Sequence, residues 1–323
     1  MIRRPPRSTL SSSSAASDVY KRQSYSNVPS NSVGLEMWKY SSGSWSDNLG
    51  TAQKGNTSTY VYANITNFSS VFAPMSSSAP SVGTVNMDED PIILSPCSNK
   101  TVYCWSNVGD DDGWDDIENI IAVFYDKEDT VSSCSENNTN CYINDSCSTS
   151  GSGDTRTVNC SFSLTYYANP SNWTCNISAV DTSGNVGHNH ENNTINELIA
   201  TNVSEEIIYF SMKPLEYSNE TNTSVHNCGN VDINILLNGT DFSCKPGTTC
   251  TKQVIGVGNI SYTNTTGTDY TNLTSSPVLS DLIIDRTLSN EGSSQKLYWR
   301  GYAPSGTLGI YNGTIGFFSQ KRS

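Results

Sequence analysis

Apolar residues in this chain recur at every second position over short runs, and helical spacing of apolar residues is nearly absent. In residues 158–168, the even-numbered positions are apolar or aromatic, whereas Asn159 falls on the opposite face. A period of two is typical of a strand with one buried face. Runs of this kind, bounded by Gly, Asn, Asp and Pro, recur along the chain. The sequence therefore predicts an all-β protein.

Polar, turn-rich stretches divide the chain into units. Residues 24–75 are strand-rich but too short for a full sandwich, so we expect a partial β domain or a strand donated between subunits. Residues 82–196, with a Cys-rich excursion at 130–155, and residues 204–319 each have the size of a two-sheet sandwich. The predicted strands are Ile92–Leu94, Thr101–Val108, Ile117–Tyr125, Val158–Ala168 and Trp173–Val180, then Ile207–Met212, Val231–Leu237, Val254–Tyr262, Leu282–Ile284, Lys296–Tyr302 and Gly309–Phe317.

Residues 1–23 differ in composition from the rest of the chain. They hold five of its 18 Lys and Arg residues. The apolar core of a secretion signal is missing, because a run of serines follows Leu10. The stretch resembles translated sequencing-adapter read-through, and we expect it to be a non-biological leader.

Ten cysteines occur without a CxxC pair, which argues against zinc and for disulfides, and hence for a compartment outside the cytosol. Cys244 and Cys250 are expected to close a local loop. Cys175 has two candidate partners, Cys104 across a sandwich and Cys160 in a hairpin. The unit 82–196 holds seven cysteines and the unit 204–319 holds three, so one thiol of each pairs between units, pairs between chains or stays free. The ten are Cys97, Cys104, Cys134, Cys141, Cys147, Cys160, Cys175, Cys228, Cys244 and Cys250.

Eighteen Asn-X-Ser/Thr sequons occur, about twice the number expected by chance from the Asn, Ser and Thr content. We expect covalent N-glycans at many of them. Asn159 and Asn176 alternate with apolar residues, which predicts that both face solvent. The sequon residues are Asn56, Asn64, Asn67, Asn99, Asn137, Asn144, Asn159, Asn172, Asn176, Asn192, Asn202, Asn219, Asn222, Asn238, Asn259, Asn264, Asn272 and Asn312.

Charge and motif content exclude several classes of function. The net charge of −13 argues against a nucleic-acid binder that neutralises phosphates. No apolar run approaches the roughly 18 residues of a membrane span. The chain has three His and no G-x-S-x-G elbow before a helix, so we expect no enzyme.

One segment resembles a known type of extracellular module. Trp173-Thr-Cys-Asn-Ile-Ser-Ala-Val-Asp-Thr-Ser-Gly-Asn185 is similar to the penultimate strand and following turn of immunoglobulin-like and cadherin-like domains. Residues 68–74 and 302–315 resemble strand endings in multidomain cell-surface glycoproteins of archaeal type. The predicted third strand, Ile117–Tyr125, departs from the antibody pattern because it has no Trp. The resemblance implies tandem immunoglobulin-like β-sandwich domains.

Five carboxylates lie within the seven residues 110–116, around Gly113. Closely spaced Asp residues on a turn are typical oxygen ligands for Ca²⁺, although the EF-hand spacing is missing. In an immunoglobulin-like sandwich, the turn that carries Asp181 and Asn185 lies at the same end. We therefore expect a calcium site formed by Asp110, Asp112, Asp116 and Asp181, the alternative being a solvated acidic turn.

These features predict a structural component of the cell surface or extracellular matrix. Tandem β modules, disulfides and a glycan coat suit a surface-layer glycoprotein or a subunit of an extracellular filament, which associates with itself into a lattice or fibre. The alternative is an adhesin that binds carbohydrate, such as surface glycans, or protein, and that has an aromatic-lined concavity.

Overall fold

The computed structural model describes residues 78–127, 133–136, 139–289 and 291–322, together with six strands between Tyr20 and Ser76. Strands dominate, and the helices of the described part are two single 3-10 turns, Trp114–Asp116 and Val257–Asn259. The predicted all-β class is confirmed. No helix among these residues has the length and hydropathy that crossing a membrane requires.

The N-terminal strands pair with one another in two three-stranded sheets, ordered β1-β5-β4 and β3-β2-β6. The first strand includes Tyr20–Gln23, so part of the segment expected to be a leader is paired in a sheet. The strands are β1 (Tyr20–Ser24), β2 (Leu35–Ser41), β3 (Ser44–Ser46), β4 (Lys54–Asn56), β5 (Tyr60–Asn64) and β6 (Val71–Ser76).

Nine strands form the first sandwich. They are β7 (Ser81–Val82), β8 (Asn86–Met87), β9 (Lys100–Gly109), β10 (Ile117–Asp126), β11 (Cys141–Asn144), β12 (Ser148–Ser150), β13 (Thr155–Leu164), β14 (Asn172–Asp181) and β15 (Val186–Thr194). One sheet has the order β12-β13-β9-β7, with β8 also paired to β9, and the other has the order β11-β10-β14-β15. This division is that of the immunoglobulin fold, in which strands A, B, E and D face strands C, F and G.

Aromatic residues fill the space between these two sheets. Trp173 on β14 is fully buried, and its ring centroid lies 4.9 Å from that of Phe124 on β10. Its indole nitrogen donates a hydrogen bond to the Asn169 carbonyl over 2.9 Å. The large buried Trp therefore sits on the penultimate strand, in one core cluster with Phe162 of the facing sheet.

A disulfide crosses this core from Cys104 on β9 to Cys175 on β14, the pair expected to span a sandwich. The hairpin pair of Cys160 with Cys175 is wrong. Strands β13 and β14 are consecutive in the chain but lie in different sheets, and Cys160 instead bonds to Cys147.

The second sandwich has a five-stranded sheet, β16-β17-β24-β21-β22, and a three-stranded sheet, β23-β18-β26, with a small sheet β20-β19-β25 beside them. Its core surrounds Trp299, whose indole nitrogen donates to Thr223 Oγ1 over 2.9 Å. The strands are β16 (Thr201–Val203), β17 (Thr221–Asn227), β18 (Ile233–Gly239), β19 (Phe242–Cys244), β20 (Val254–Ile255), β21 (Ile260–Thr263), β22 (Thr271–Asn272), β23 (Val278–Ile284), β24 (Ser293–Gly301), β25 (Tyr311–Asn312) and β26 (Ile315–Lys321).

Four strand predictions need correction. Gly309–Phe317 is not one strand, because β25 and β26 divide it and lie in different sheets. Ile92–Leu94 makes only an isolated bridge, from Ile92 to Ile195. Residues 254–262 are two strands, because the 3-10 turn Val257–Asn259 separates them. Ile207–Met212 is not a strand, since among the described residues it has no hydrogen-bonded neighbour.

Covalent and hydrogen bonds join the two sandwiches. Cys97, before β9, forms a disulfide with Cys228, after β17. The cysteine left over in each unit therefore pairs between the units. Beside this bond, the fully buried Asn230 reaches back to the first sandwich and donates from Nδ2 to the Ala168 carbonyl over 3.0 Å.

Candidate metal centre

The acidic turn begins where β9 ends. Asp110 follows Gly109, and the Asp112 amide donates to Asp110 Oδ1 over 2.9 Å, which closes a tight turn. Gly113 then takes φ 108°, a conformation that L side chains rarely adopt, and its amide donates to the Asp110 carbonyl over 3.1 Å. The 3-10 turn that follows ends at Asp116. This local geometry folds the carboxylates of the segment back on each other.

The structure brings together three of the four predicted ligands. One carboxylate oxygen from each of Asp110, Asp112 and Asp116 lies within 4.8 Å of the other two. Asp110 is only 4% exposed, and its Oδ2 has no hydrogen-bond partner. Buried oxygens without a partner are rare in folded proteins, because leaving one costs about 1–3 kcal/mol.

Ser78 contributes to this cluster from the segment before the first sandwich. Its amide and its hydroxyl both donate to Asp112 Oδ2, over 2.6 Å and 2.9 Å, and the hydroxyl lies 3.4 Å from Asp110 Oδ1. Sequence reasoning missed Ser78, since it lies more than thirty positions away with no local motif around it.

The predicted fourth ligand, Asp181, lies outside the group of three. It is fully buried at the end of β14, where its Oδ1 accepts from the Ser183 and Asn185 amides over 2.9 Å and 2.7 Å, and its Oδ2 accepts from the Asn185 side chain over 2.8 Å. The two loops nevertheless meet, because the Thr182 amide donates to the Asp116 carbonyl over 2.8 Å and the Thr182 hydroxyl donates to the Asp116 carboxylate. Asp181 therefore shapes the neighbouring turn.

Burial raises the pKa of Asp110 above its usual value, and the negative charges of Asp112, Asp116 and Asp181 raise it further. The hydrogen bond from the Asp112 amide opposes this change. Concentrated negative charge with one unpartnered buried oxygen is chemically suited to a divalent cation with oxygen ligands.

The sequon asparagines are mostly accessible. Of the fourteen with described side chains, ten are exposed, and Asn144, Asn238 and Asn259 are partly buried. The prediction that Asn176 faces solvent is wrong. Asn176 is 5% exposed, because its strand is central in the sheet, and its side chain accepts a hydrogen bond from Ser178 over 2.8 Å. The exposed ten are Asn99, Asn159, Asn172, Asn192, Asn202, Asn219, Asn222, Asn264, Asn272 and Asn312. Asn56, Asn64, Asn67 and Asn137 lie where no side chain is described.

A second polar and aromatic cluster lies on the second sandwich and was not found from sequence. The Arg300 guanidinium lies 4.3 Å from the ring centroid of Tyr217 and 3.7 Å from that of Tyr270. Tyr217 is 56% exposed and packs on Tyr302, with centroids 5.0 Å apart. Burial, and then the hydrogen bond to Glu220, raise the pKa of Tyr270 to about 12. The residues come from separate segments, so no local motif could have revealed the cluster.

All ten cysteines are paired in five disulfides. Cys244 bonds to Cys250, the expected local loop, and Cys134 bonds to Cys141 within the Cys-rich excursion. Five disulfides are typical of proteins outside the reducing cytosol.

No protein-family model matches the chain, and no curated protein matches it. Among solved structures, the CsuC–CsuE chaperone–tip adhesion subunit pre-assembly complex from archaic chaperone-usher Csu pili of Acinetobacter baumannii is similar with a TM-score of 0.37 and 10% identity, over 75% of this chain and 100% of that chain. Dimeric latent PorU from Porphyromonas gingivalis gives a TM-score of 0.25 and 12% identity, over 75% of this chain and 19% of that one. A DUF4466 family protein from Parabacteroides merdae gives a TM-score of 0.22 and 10% identity, over 70% of this chain and 99% of that chain. The fold assignment rests on the strand order.

Proposed function

We propose that this chain is a non-enzymatic structural component of the cell surface or extracellular matrix, as a surface-layer glycoprotein or a filament subunit that associates with itself. The junction between the sandwiches carries the proposal. A disulfide between Cys97 and Cys228 and the buried side chain of Asn230 hold the two sandwiches together. Relative domain motion is the usual expectation for tandem modules. A fixed junction suits a part that transmits force or sets a repeat distance.

Glycosylation is the second element of the proposal. The exposed sequon asparagines lie on both sandwiches, and we expect covalent N-glycans there. Attached glycans would shield exposed surface and open sheet edges from unwanted pairing. Asn176 is excluded because its side chain is buried.

Calcium is the third element. Asp110, Asp112 and Asp116 would hold the ion, with Asp110 Oδ2 as the oxygen that lacks another partner. Ca²⁺ accepts six to eight oxygen ligands in flexible arrangements, so an irregular turn with carboxylate ligands suits it better than it suits Mg²⁺. The ion would neutralise the repulsion between the carboxylates and so stabilise this end of the sandwich.

Electron microscopy of the native source tests the structural role. We expect a lattice or a fibre that is labelled by antibodies against this chain, and a mass that falls on chemical deglycosylation. A freely soluble monomer with the unmodified mass of the chain would contradict the proposal.

The aromatic cluster supports one alternative, a carbohydrate-binding adhesin. Tyr217, Tyr302 and Arg300 form an accessible surface on which a sugar ring could stack. A glycan array distinguishes the two functions. Binding of a defined glycan that Tyr217→Ala abolishes, without a lattice in the native source, would favour the adhesin.

A further inference from the structure

Residues 205–213 form a segment that has the pattern of a strand but no strand partner. Its odd-numbered positions are exposed, and its even-numbered positions from Ile208 onward are partly buried. Ile208 and Phe210 pack on the core of the second sandwich. Gly301 on β24 leaves the space for this, because a Cβ there would lie 2.8 Å from the Met212 methyl carbon and 3.3 Å from the Phe210 ring. One face of the segment is therefore anchored.

The backbone of this segment is not paired. Within the described part of the chain, no hydrogen bond involves the main-chain groups of Glu206–Ser211. Backbone N–H and C=O groups need partners, so here they must face water or another chain. Two of the outward side chains are large and apolar, since Ile207 is 63% and Tyr209 is 79% exposed. Unpaired main chain combined with exposed large apolar residues is the feature that invites strand addition.

The sequence of the segment indicates which strand it fits. In an antiparallel pair of two copies centred on Tyr209, Ile207 lies opposite Ser211, and Glu205 lies opposite Lys213. All five of these residues are exposed. The Glu205 carboxylate also accepts from the Ser204 hydroxyl and, over 3.3 Å, from the Ser224 amide, both through Oε2. The two-fold symmetry of such a pair makes two Glu–Lys contacts and one Tyr–Tyr contact, both favourable kinds of cross-strand pair. Shifting the register by two residues loses the charge pairing.

We propose that this segment, residues 205–213, is the self-association strand of the protein, and that it pairs antiparallel with the same segment of a second copy. The inference deepens the proposed function and rests on it, since a lattice or a fibre needs contacts between copies. The flanking sequons, Asn202 and Asn219, leave the segment itself free of glycan sites.

Cysteine cross-linking of the full chain tests the register. All ten native cysteines are in disulfides, so a single new cysteine is the one free thiol. Directly opposed residues lie about 4.5–5.5 Å apart between Cα atoms, within the range of a disulfide. Tyr209→Cys should therefore give a disulfide-linked dimer on mild oxidation. Ser211→Cys is the matched control, because the two copies of residue 211 lie four residues apart along the ribbon, roughly 13 Å. Equal cross-linking of both variants, or none of Tyr209→Cys, would overturn the proposal.

Exchanging the charges of Glu205 and Lys213 tests whether the partner is a second copy of the same segment, with dimer affinity measured by sedimentation equilibrium. Glu205→Lys or Lys213→Glu alone places like charges opposite each other twice, and we expect roughly tenfold weaker dimerisation. The double variant restores both pairs and should restore the affinity. If the substitutions weakened dimerisation only by disturbing the fold, the double variant would dimerise as weakly as the single variants. Weak dimerisation of the double variant would therefore refute the pairing. A symmetric dimer without any lattice in the native source would leave this inference standing and defeat the proposed function.

Discussion

Asn230→Ala should loosen the junction between the two sandwiches. The Asn230 side chain makes three hydrogen bonds to the first sandwich and to the connecting segment. Its Nδ2 donates to the carbonyl oxygens of Ala168 and Asn196 over 3.0 Å and 3.1 Å, and its Oδ1 accepts from the Leu198 amide over 2.7 Å. The side chain is fully buried, so water does not readily replace it.

The size of the effect follows from these three bonds. Each contributes about 1 kcal/mol net, and truncation leaves two carbonyls and one amide without their partner, so we expect a loss of about 3 kcal/mol. For a cooperative unit of about 150–250 residues, each kcal/mol shifts Tm by roughly 2–4 °C, which gives a fall of about 6–12 °C.

Calorimetry of the oxidised protein is the appropriate measurement, because the Cys97–Cys228 disulfide stays intact in both proteins. Asn196→Ala is the matched control. Asn196 lies at the same junction, its side chain is exposed, and it accepts from Asn230 through its main chain only. We expect the control to melt within about 1 °C of the parent. If Asn230→Ala melted no lower than Asn196→Ala, the assigned role of the amide would be refuted.

Three further outcomes follow from the carboxylate cluster and the sequons. Asp110→Asn should raise Tm without calcium, because it removes a buried like charge. It should also abolish the stabilisation by Ca²⁺, which in the parent adds about 2.7 kcal/mol to the free energy of unfolding at 100 times Kd. Differential scanning fluorimetry with and without Ca²⁺ measures both effects. The pKa of Asp110 is raised in the fold, so the ion-free protein should lose stability as pH rises through that pKa. The calcium-dependent rise in Tm should fade as pH is lowered into the same range, because protons then compete for the carboxylate. A calcium-dependent rise in Tm that persisted at pH 3 would contradict this. Peptide mapping of native material should find Asn159 glycosylated and Asn176 unmodified.

The first sandwich was predictable where its signals are local. The long alternating strands around Val158 and Trp173 carry a clear apolar face. The sequence left two candidate partners for Cys175, and the structure shows the bond to Cys104 across the sandwich. By contrast, β15 reads VGHNHENNT and β17 reads TNTSVHN. Such strands are rich in Asn, Thr and His, so alternation in hydropathy is weak although pairing holds them in the sheet. Whether such a segment becomes a strand depends on the strands beside it in the sheet, and the periodicity of its own sequence carries no information about them.

The acidic site illustrates the same division. The density of carboxylates is a local feature, and it predicted the cluster of Asp110, Asp112 and Asp116. The contact with Ser78 depends on a segment more than thirty residues away, and the burial of Asp110 is visible only in the folded chain. Likewise, Asn176 alternates with apolar residues, as expected for a residue that faces solvent. It is nevertheless buried, and its strand, β14, lies between β10 and β15 in the sheet. Face assignment from a period of two does not distinguish edge strands from central ones.

The two ends of the first sandwich carry different contacts, and this arrangement connects the acidic cluster to the proposed structural role. Strands β9 and β14 both end at the carboxylates and both begin near the junction with the second sandwich, so the two sites lie at opposite ends. At the acidic end, Ser78 binds Asp112, and a Cβ on Gly187 would overlap the Pro80 carbonyl, which shows how closely residues 78–80 pack on the sandwich. A cation at the carboxylates would therefore stabilise the segment that connects the N-terminal strands. Rigidity at one end would then be covalent, and at the other it would depend on calcium.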